Sequence, residues 1–387
     1  MKNRPLWNPP QNFSYTVSLG YYVSCILPYK QKFLQGSRGR FLQKKPPGRR
    51  RQKLTLTSVI LVMFLVGSVF GEVAAVIHEV GYPRFLDVDD SQLYIVENAS
   101  IYIYSLKDFK LKKKIGGAGP GPQKFQAMPP LTVDARSDNI IVNSAGKVSF
   151  FSKDGKLKKE LKVKIVGSAF QPLKNAYAAQ GVAFAGRNAF AAVNLFDTQL
   201  NKIKEVFRYD TPAVQDGKID LFHQDALFTT YEDKLFIASM KGLTIDVLDH
   251  TGKHLYTIRY PKKHKKRKFT PRDEKEFREY LRLVASHDYE VAKDRLIFPD
   301  YYPEIAAFVI SDNNVFVVTW KRKPGQSEVV IFDMKGKLIK QAYYPFVLQD
   351  PVSGYPWNIN NRKLYQLIEN KDTRKWELHV NLLAIDY

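Results

Sequence analysis

Val148-Ser-Phe-Phe-Ser-Lys-Asp-Gly-Lys-Leu157 leads an apolar strand into a tight charged turn and out into a second strand. The same design recurs at Ile101–Leu111 (IYIYSLKDFKL), Ala192–Ile203 (AVNLFDTQLNKI), Ile245–Leu255 (IDVLDHTGKHL) and Val329–Leu338 (VVIFDMKGKL). Three of these turns place glycine at one point, Gly155, Gly252 and Gly336. A tight reversal between twisted strands needs a positive φ, which glycine adopts without a Cβ clash.

Spacing turns the hairpins into an architecture. With Asp108, Asp154, Leu200, Thr251 and Lys335 as anchors, the intervals are 46, 46, 51 and 84 residues. A period near 46–51 with about four short strands per unit is the pattern of propeller blades. A further strand precedes the hairpins, at Leu93–Val96, Ile140–Val142, Leu235–Ala238 and Val315–Val318. A sixth unit begins at Leu364–Ile368 and continues through Trp376–Leu382, with no room for an outermost strand before Tyr387. The first unit has one strand too many, Val73–His78, ahead of its innermost candidate Arg84–Val88. Donating that strand to the last blade solves both problems and leaves no bare edge. The expected fold is all-β: a six-bladed β-propeller over 72–387, closed by its N-terminal strand.

The long interval predicts a helical insertion between blades 4 and 5, at about 262–293. Thr270 is a capping residue, Pro271 fits a first turn, and Asp273 and Glu274 suit the positive end of a helix. Phe277, Leu281 and Val284 then share one face, with Tyr280 beside them. This helix is expected to dock on the propeller face.

Ile115-Gly-Gly-Ala-Gly-Pro-Gly-Pro-Gln-Lys-Phe125 resembles the glycine-rich link between blades of NHL-repeat propellers. Without a Gly-Lys-Ser/Thr ending or a following helix, it is a turn rather than a phosphate loop. With the blade pattern, the chain resembles the secreted bacterial six-bladed propellers of the NHL and TolB-like group over roughly residues 72–387. The resemblance implies the fold and an extracytoplasmic setting. That group holds binding scaffolds as well as lyases and lactone hydrolases, so function must come from the site.

The formal charge of the 387 residues is +22, unevenly spread. Residues 1–71 hold twelve Lys or Arg and no Asp or Glu, and another six cations sit in the run Lys262–Lys268. The rest is nearly balanced, so nucleic acid is not an expected partner. The run reads as a solvated loop, with contact to phosphate, lipid headgroup or an acidic partner as the functional reading. Leu54–Gly71 is apolar and uncharged behind Arg49-Arg50-Arg51-Gln52-Lys53, the pattern of a signal peptide and just long enough for an uncleaved anchor. Residues 1–53 form a basic leader of no evident fold, or a start upstream of the true one. The expected location is periplasmic or secreted, with membrane association through 54–71 in the anchored case. The one cysteine, Cys25, excludes an internal disulfide framework and a cysteine-cluster metal site.

The resemblance implies that ligands meet the channel mouth, where loops entering the innermost strands converge; the loops placed there are Tyr82–Arg84, Met128–Pro130, Phe222–Asp225, Tyr301–Glu304 and Tyr355–Trp357. They present Arg84, His223, Asp225, Tyr301, Tyr302, Glu304 and Trp357 as candidate binding residues. Aromatic rings with a few charges suit a protein, peptide or glycan; such rings also plug channels. No zinc spacing, nucleophile elbow or calcium loop occurs, and Asp87, Asp89 and Asp90 fall where turn roles come first. The expected function is therefore a non-catalytic binding or assembly scaffold without a cofactor, its partner an envelope protein, peptide or glycan. The alternative is a hydrolase or lyase, lactonase-like, using His223, Asp225 and Glu304 around Ca or Zn. A third reading is an envelope structural partner that binds through the basic run and the helix at 262–284.

Overall fold

Each outer hairpin turns on a single positive-φ residue: Phe109, Gly155, Leu200, Gly252 or Gly336. The pairing then slips by one residue, at Ile103/Tyr104, Phe150/Phe151, Leu195/Phe196, Val247/Leu248 and Ile331/Phe332. One left-handed residue followed by a bulge makes a three-residue hairpin loop in blades 2 to 5 and a four-residue one in blade 1. A side chain at the turn's entry holds it. Asp197, Asp249 and Asp333 each accept two backbone N–H groups at 2.8–3.0 Å, and Ser152 accepts that of Lys156.

These turns also read the neighbouring blade. A Cβ on Gly252 would overlap Cγ1 of Val206, on the outermost strand of the preceding blade, at a φ of +82°. Gly252→Ala therefore combines backbone strain with overpacking against a stiff side chain and should cost about 3 kcal/mol. Urea unfolding would show it as a lower midpoint at unchanged slope.

The computed structural model describes residues 72–126, 131–163, 169–223, 226–239, 242–284, 286–349 and 354–384. Six antiparallel sheets surround one axis, each running from an innermost strand outward. Blade 1 comprises Phe85–Val88, Gln92–Glu97, Ser100–Ser105 and Leu111–Gly116. Blades 2, 4 and 5 repeat this order from innermost strands Thr132–Asp134, Phe228–Tyr231 and Ile305–Ser311. In blade 6, Trp357–Asn360, Lys363–Glu369 and Trp376–Leu382 are completed by Glu72–Ile77. This first strand pairs antiparallel with the last, Glu72 opposite Val380 and Ile77 opposite Trp376. The expected closure holds, and the core follows from it. Apolar faces of adjacent sheets pack on each other, as where Leu86, Ile95 and Tyr104 of blade 1 meet Leu367 and Trp376 of blade 6.

The glycine-rich link crosses from blade 1 to blade 2. Gly117 N–H donates to Ala99 O at 2.6 Å, and the chain returns to bury Phe125 edge-on against Phe151. Blade 3 departs from the repeat. Its strands Gln171–Leu173, Ala176–Ala185, Asn188–Phe196 and Lys202–Arg208 bury mostly alanine along the second and third. Its sheet continues through Val214–Gln215 and Lys218–Asp220 to a parallel pairing with Leu296–Ile297. Those last residues belong to the insertion between blades 4 and 5.

Helix α1 (Pro271–Val284) and helix α2 (Ser286–Ala292) form the body of that insertion. Thr270 and Asp273 close a capping box: Asp273 Oδ2 accepts from Thr270 N at 2.9 Å, and Thr270 Oγ1 accepts from Asp273 N at 3.3 Å. Phe277, Tyr280 and Leu281 are buried as the period implies. Leu281 meets Ile219 of the blade 3 extension, and Phe277 meets Tyr302 and Trp320 of blade 5. The helix therefore lies over the channel mouth. Residues 1–71, including the basic leader, the apolar segment 54–71 and Cys25, lie outside the described residues, as do Met128–Pro130.

Candidate binding site at the channel mouth

The loops that enter the innermost strands divide the mouth in two. On the blade 4 side, Phe222 sits in an aromatic cluster, its ring 5.9 Å from Phe269, 5.4 Å from Phe277, 5.6 Å from Tyr302 and 5.7 Å from Trp320. Tyr302 stacks on Trp320 at 4.9 Å under the guanidinium of Arg267, and burial pushes its phenol up. Here the rings are plug and helix seat. Tyr302 is buried, while Tyr301 beside it is half exposed.

On the side of blades 1, 5 and 6 the mouth stays open as a cavity of about 470 Å³. Arg84 and Trp357 line it, together with Tyr355, Trp320, Arg322 and Tyr280 of helix α1. Trp357 is held edge-on by Phe346 at 5.1 Å, and Tyr355 by Trp376 at 5.9 Å. Arg84 lies 4.3 Å over the Tyr82 ring. Among the described residues, no carboxylate lines this cavity.

Of the expected metal-holding set, His223 and Glu304 are described. His223 Nδ1 lies 2.8 Å from Asp220, its neighbour three positions back, whereas buried Glu304 faces Lys266 at 3.7 Å. Asp225 lies outside the described residues. Among those described, no group of three His, Cys, Asp or Glu could hold a metal ion.

The basic run is not a simple solvated loop, which corrects the expectation. His264 is buried in its middle, with Nε2 3.0 Å from Glu328 Oε2 on the third strand of blade 5. Burial opposes the charge on Glu328, but hydrogen bonds from His264, Gln341 and Thr319 and the nearby Lys321 win and hold its carboxyl at about 2. Arg267 bridges to Asp273 at 2.5 Å, tying the run to the helix cap. Lys262, Lys263, Lys265 and Lys268 stay exposed. The run is a strap in which His264 and Arg267 hold the insertion down while its lysines face solvent.

Below the mouth, the channel is crossed by a polar network that no motif announced. Arg136, just past the innermost strand of blade 2, donates to Asp134 at 3.2 and 2.5 Å. It continues to Gln171 of blade 3 at 3.1 Å, and to Thr229 Oγ1 and Thr230 O of blade 4 at 2.6 and 2.8 Å. Asp87 of blade 1 accepts Ala135 N at 2.8 Å and Asn358 Nδ2 of blade 6 at 2.6 Å. Burial first, and the Asp134 carboxylate second, raise the Asp87 carboxyl to about 7. Five blades thus meet on three ionisable groups. Beyond them the far mouth opens as a cavity of about 710 Å³, where Asp90, Glu232, Asp233 and Asp312 give an acidic rim. Asp89 there serves its turn as expected, accepting Ser91 N and Gln92 N at 2.8 Å.

With this geometry in view, the sequence can be set beside known proteins. The family model described as DUF5128, 6-bladed beta-propeller, matches residues 78–295. No curated protein matches. Among solved structures, similar folds include an exported protein of Bacteroides fragilis at 13% identity, covering 80% of this chain and 92% of that one, with a TM-score of 0.48. BamB of Moraxella catarrhalis is similar at 10% identity over 76% of this chain and 95% of that one, TM-score 0.34. Hsv2 of Kluyvelomyces marxianus follows at 11%, 78% and 88%, TM-score 0.34. At such identities the likeness concerns fold and carries nothing about activity.

Proposed function

Since this chain belongs to the six-bladed β-propeller family, we propose that it is a non-catalytic scaffold that binds an envelope protein, peptide or glycan at its helix-covered mouth, outside the cytoplasm. The observation that carries this reading is the cavity between blades 1, 5 and 6. It is walled by aromatic side chains and two guanidiniums, while His223 lies against Asp220 and Glu304 faces Lys266. Aromatic and arginine side chains at the centre of a concave patch are the residue types that concentrate binding energy. The extracytoplasmic setting is supported by the apolar segment 54–71 behind a basic tract. A narrower kinship with NHL-repeat or TolB-like propellers is supported by the glycine link at 115–125 alone.

Immobilised full chain, probed with an array of peptides and oligosaccharides, should retain a ligand set that Trp357→Ala weakens by about tenfold or more. Release of a cleaved or eliminated product would overturn the reading. So would stoichiometric Ca or Zn that is lost on His223→Ala, which is the outcome the hydrolase or lyase alternative requires.

A further inference from the structure

We infer that the open mouth cavity is a receptor for the free carboxylate of a peptide C-terminus bearing an apolar last side chain, with Arg322 and Arg84 as the groups that recognise the anion. This rests on the reading of the mouth as a binding site and adds the ligand's chemistry.

Charge is the first ground. Arg84 and Arg322 line the cavity, and among the described residues no Asp or Glu does. Arg322 is the more telling of the two. It extends from the long second strand of blade 5, Asn314–Lys323, and its Nη1 donates to two neutral oxygens, Thr319 O at 2.8 Å and Ser327 Oγ at 2.7 Å. Its buried Nε has no hydrogen-bond partner among the described residues. Its ring neighbour is Trp320, 5.6 Å away. A half-buried guanidinium held by neutral groups is in a strained electrostatic position. Burial, with the nearby Arg267 second, brings it down to about 10. An arriving carboxylate relieves that cost, and a guanidinium matches the two oxygens of a carboxylate through paired N–H donors.

The rest of the wall selects the body that carries the anion. Among the described residues of the wall, Leu86, Val309, Val318 and Phe346 are apolar, and the hydrogen-bonding side chains beyond the arginines, tyrosines and tryptophans are Gln349 and Asn358. A sugar acid would bring a hydroxyl on nearly every carbon, each needing a partner once dehydrated. The described residues of the wall offer few. A peptide end with Leu or Phe last needs one anion site, a backbone partner or two and an apolar slot, which is the inventory present. A volume of about 470 Å³ lies within the range of ordinary small-ligand sites.

The probes are fluorescein-labelled tetrapeptides ending in Leu or Phe, each as the free acid and as the amide, with an oligomer of a hexuronic acid as the sugar arm. Binding to the full chain is followed by anisotropy at low and high salt. The acids should bind about tenfold or more tighter than the amides, with an advantage that falls as salt rises. Arg84→Gln should erase most of that difference, weakening the acid far more than the amide. Arg322→Met should do the same, and circular dichroism checks that it folds; Arg84→Gln alone decides the matter if it does not. Equal binding of acid and amide, both weakened by Trp357→Ala, overturns the carboxylate assignment and leaves the mouth as the binding site. Preference for the hexuronate overturns the peptide assignment. No binding of any probe overturns the carboxylate receptor, and the array experiment then decides separately whether the mouth binds anything.

Discussion

Arg136→Met is expected to lower the unfolding free energy by about 3 kcal/mol, near the low end for breaking a buried ion pair because the arginine also touches the open far mouth. Methionine keeps the apolar stem but strands Asp134 and Asp87 together without their cation, and it cuts the hydrogen bonds that join blade 2 to blades 3 and 4. The loss should depend on pH. Asp87 has an ordinary carboxylate range near 4 when unfolded and is raised to about 7 when folded. Its carboxyl therefore favours folding at low pH, and that contribution fades as pH rises from about 4 to about 7. The arginine counters part of this rise, so its removal should widen the deficit from about pH 5 to about pH 8. Urea unfolding at both pH values checks the effect. A deficit that is flat or shrinks toward high pH would mean that the three groups are not coupled. Arg136→Lys should recover only part of the loss, because one ammonium cannot reach two blades as a forked guanidinium does.

The difference between Arg136 and the outer hairpins explains what the sequence could disclose. Strand, turn and strand lie within about a dozen residues, and the constraints that shape them are local: alternation, an anchoring Asp or Ser, a residue tolerant of positive φ. Repetition then disclosed the ring, because a leftover strand at one end matched a missing strand at the other. The polar network has no such signature. Asp87, Arg136, Gln171 and Thr229 are separated by dozens of residues and meet because each follows or lies in an innermost strand. Only knowledge of which strand faces the axis, and at which register, could have joined them. The site shows the same limit. Arg84 and Trp357 border the open cavity because they enter innermost strands, whereas Tyr302 and Glu304, placed by the same rule, are buried beside the helix and the strap. Arg322 was missed because Lys321-Arg322-Lys323 reads as hairpin charge; its strand runs ten residues, and Arg322 near its end lines the cavity. His264 lay hidden among lysines. Burial selects one member of a charged run for its partner across the fold, and Glu328 is 64 residues away.

Deleting Glu72–Ile77 should have the largest effect of any change to the propeller, leaving no cooperatively folded monomer at ambient temperature. Three costs coincide. Ile77, 2% exposed among the residues between blades 1 and 6, leaves a void of the kind that costs about 2–5 kcal/mol by itself. The Trp376–Leu382 strand loses its pairing along the outer edge, from Val380 to Trp376. That exposed edge then carries Trp376, Leu378 and Val380 into solvent contact, a surface that recruits other strands. Since domains of this size hold about 5–15 kcal/mol in all, the sum consumes most of the margin. Size-exclusion chromatography of the deletion variant should show aggregate, or a dimer that lends the missing strand from one copy to another. Adding back a synthetic peptide of the deleted strand should restore part of the monomer. A variant that melted cooperatively as a monomer close to the parent temperature would show that the ring is held by its inner network, with the outer closure contributing little. Ile77→Ala separates the two contributions, since it empties the void while leaving the strand paired, and it should lower stability by only the cavity cost.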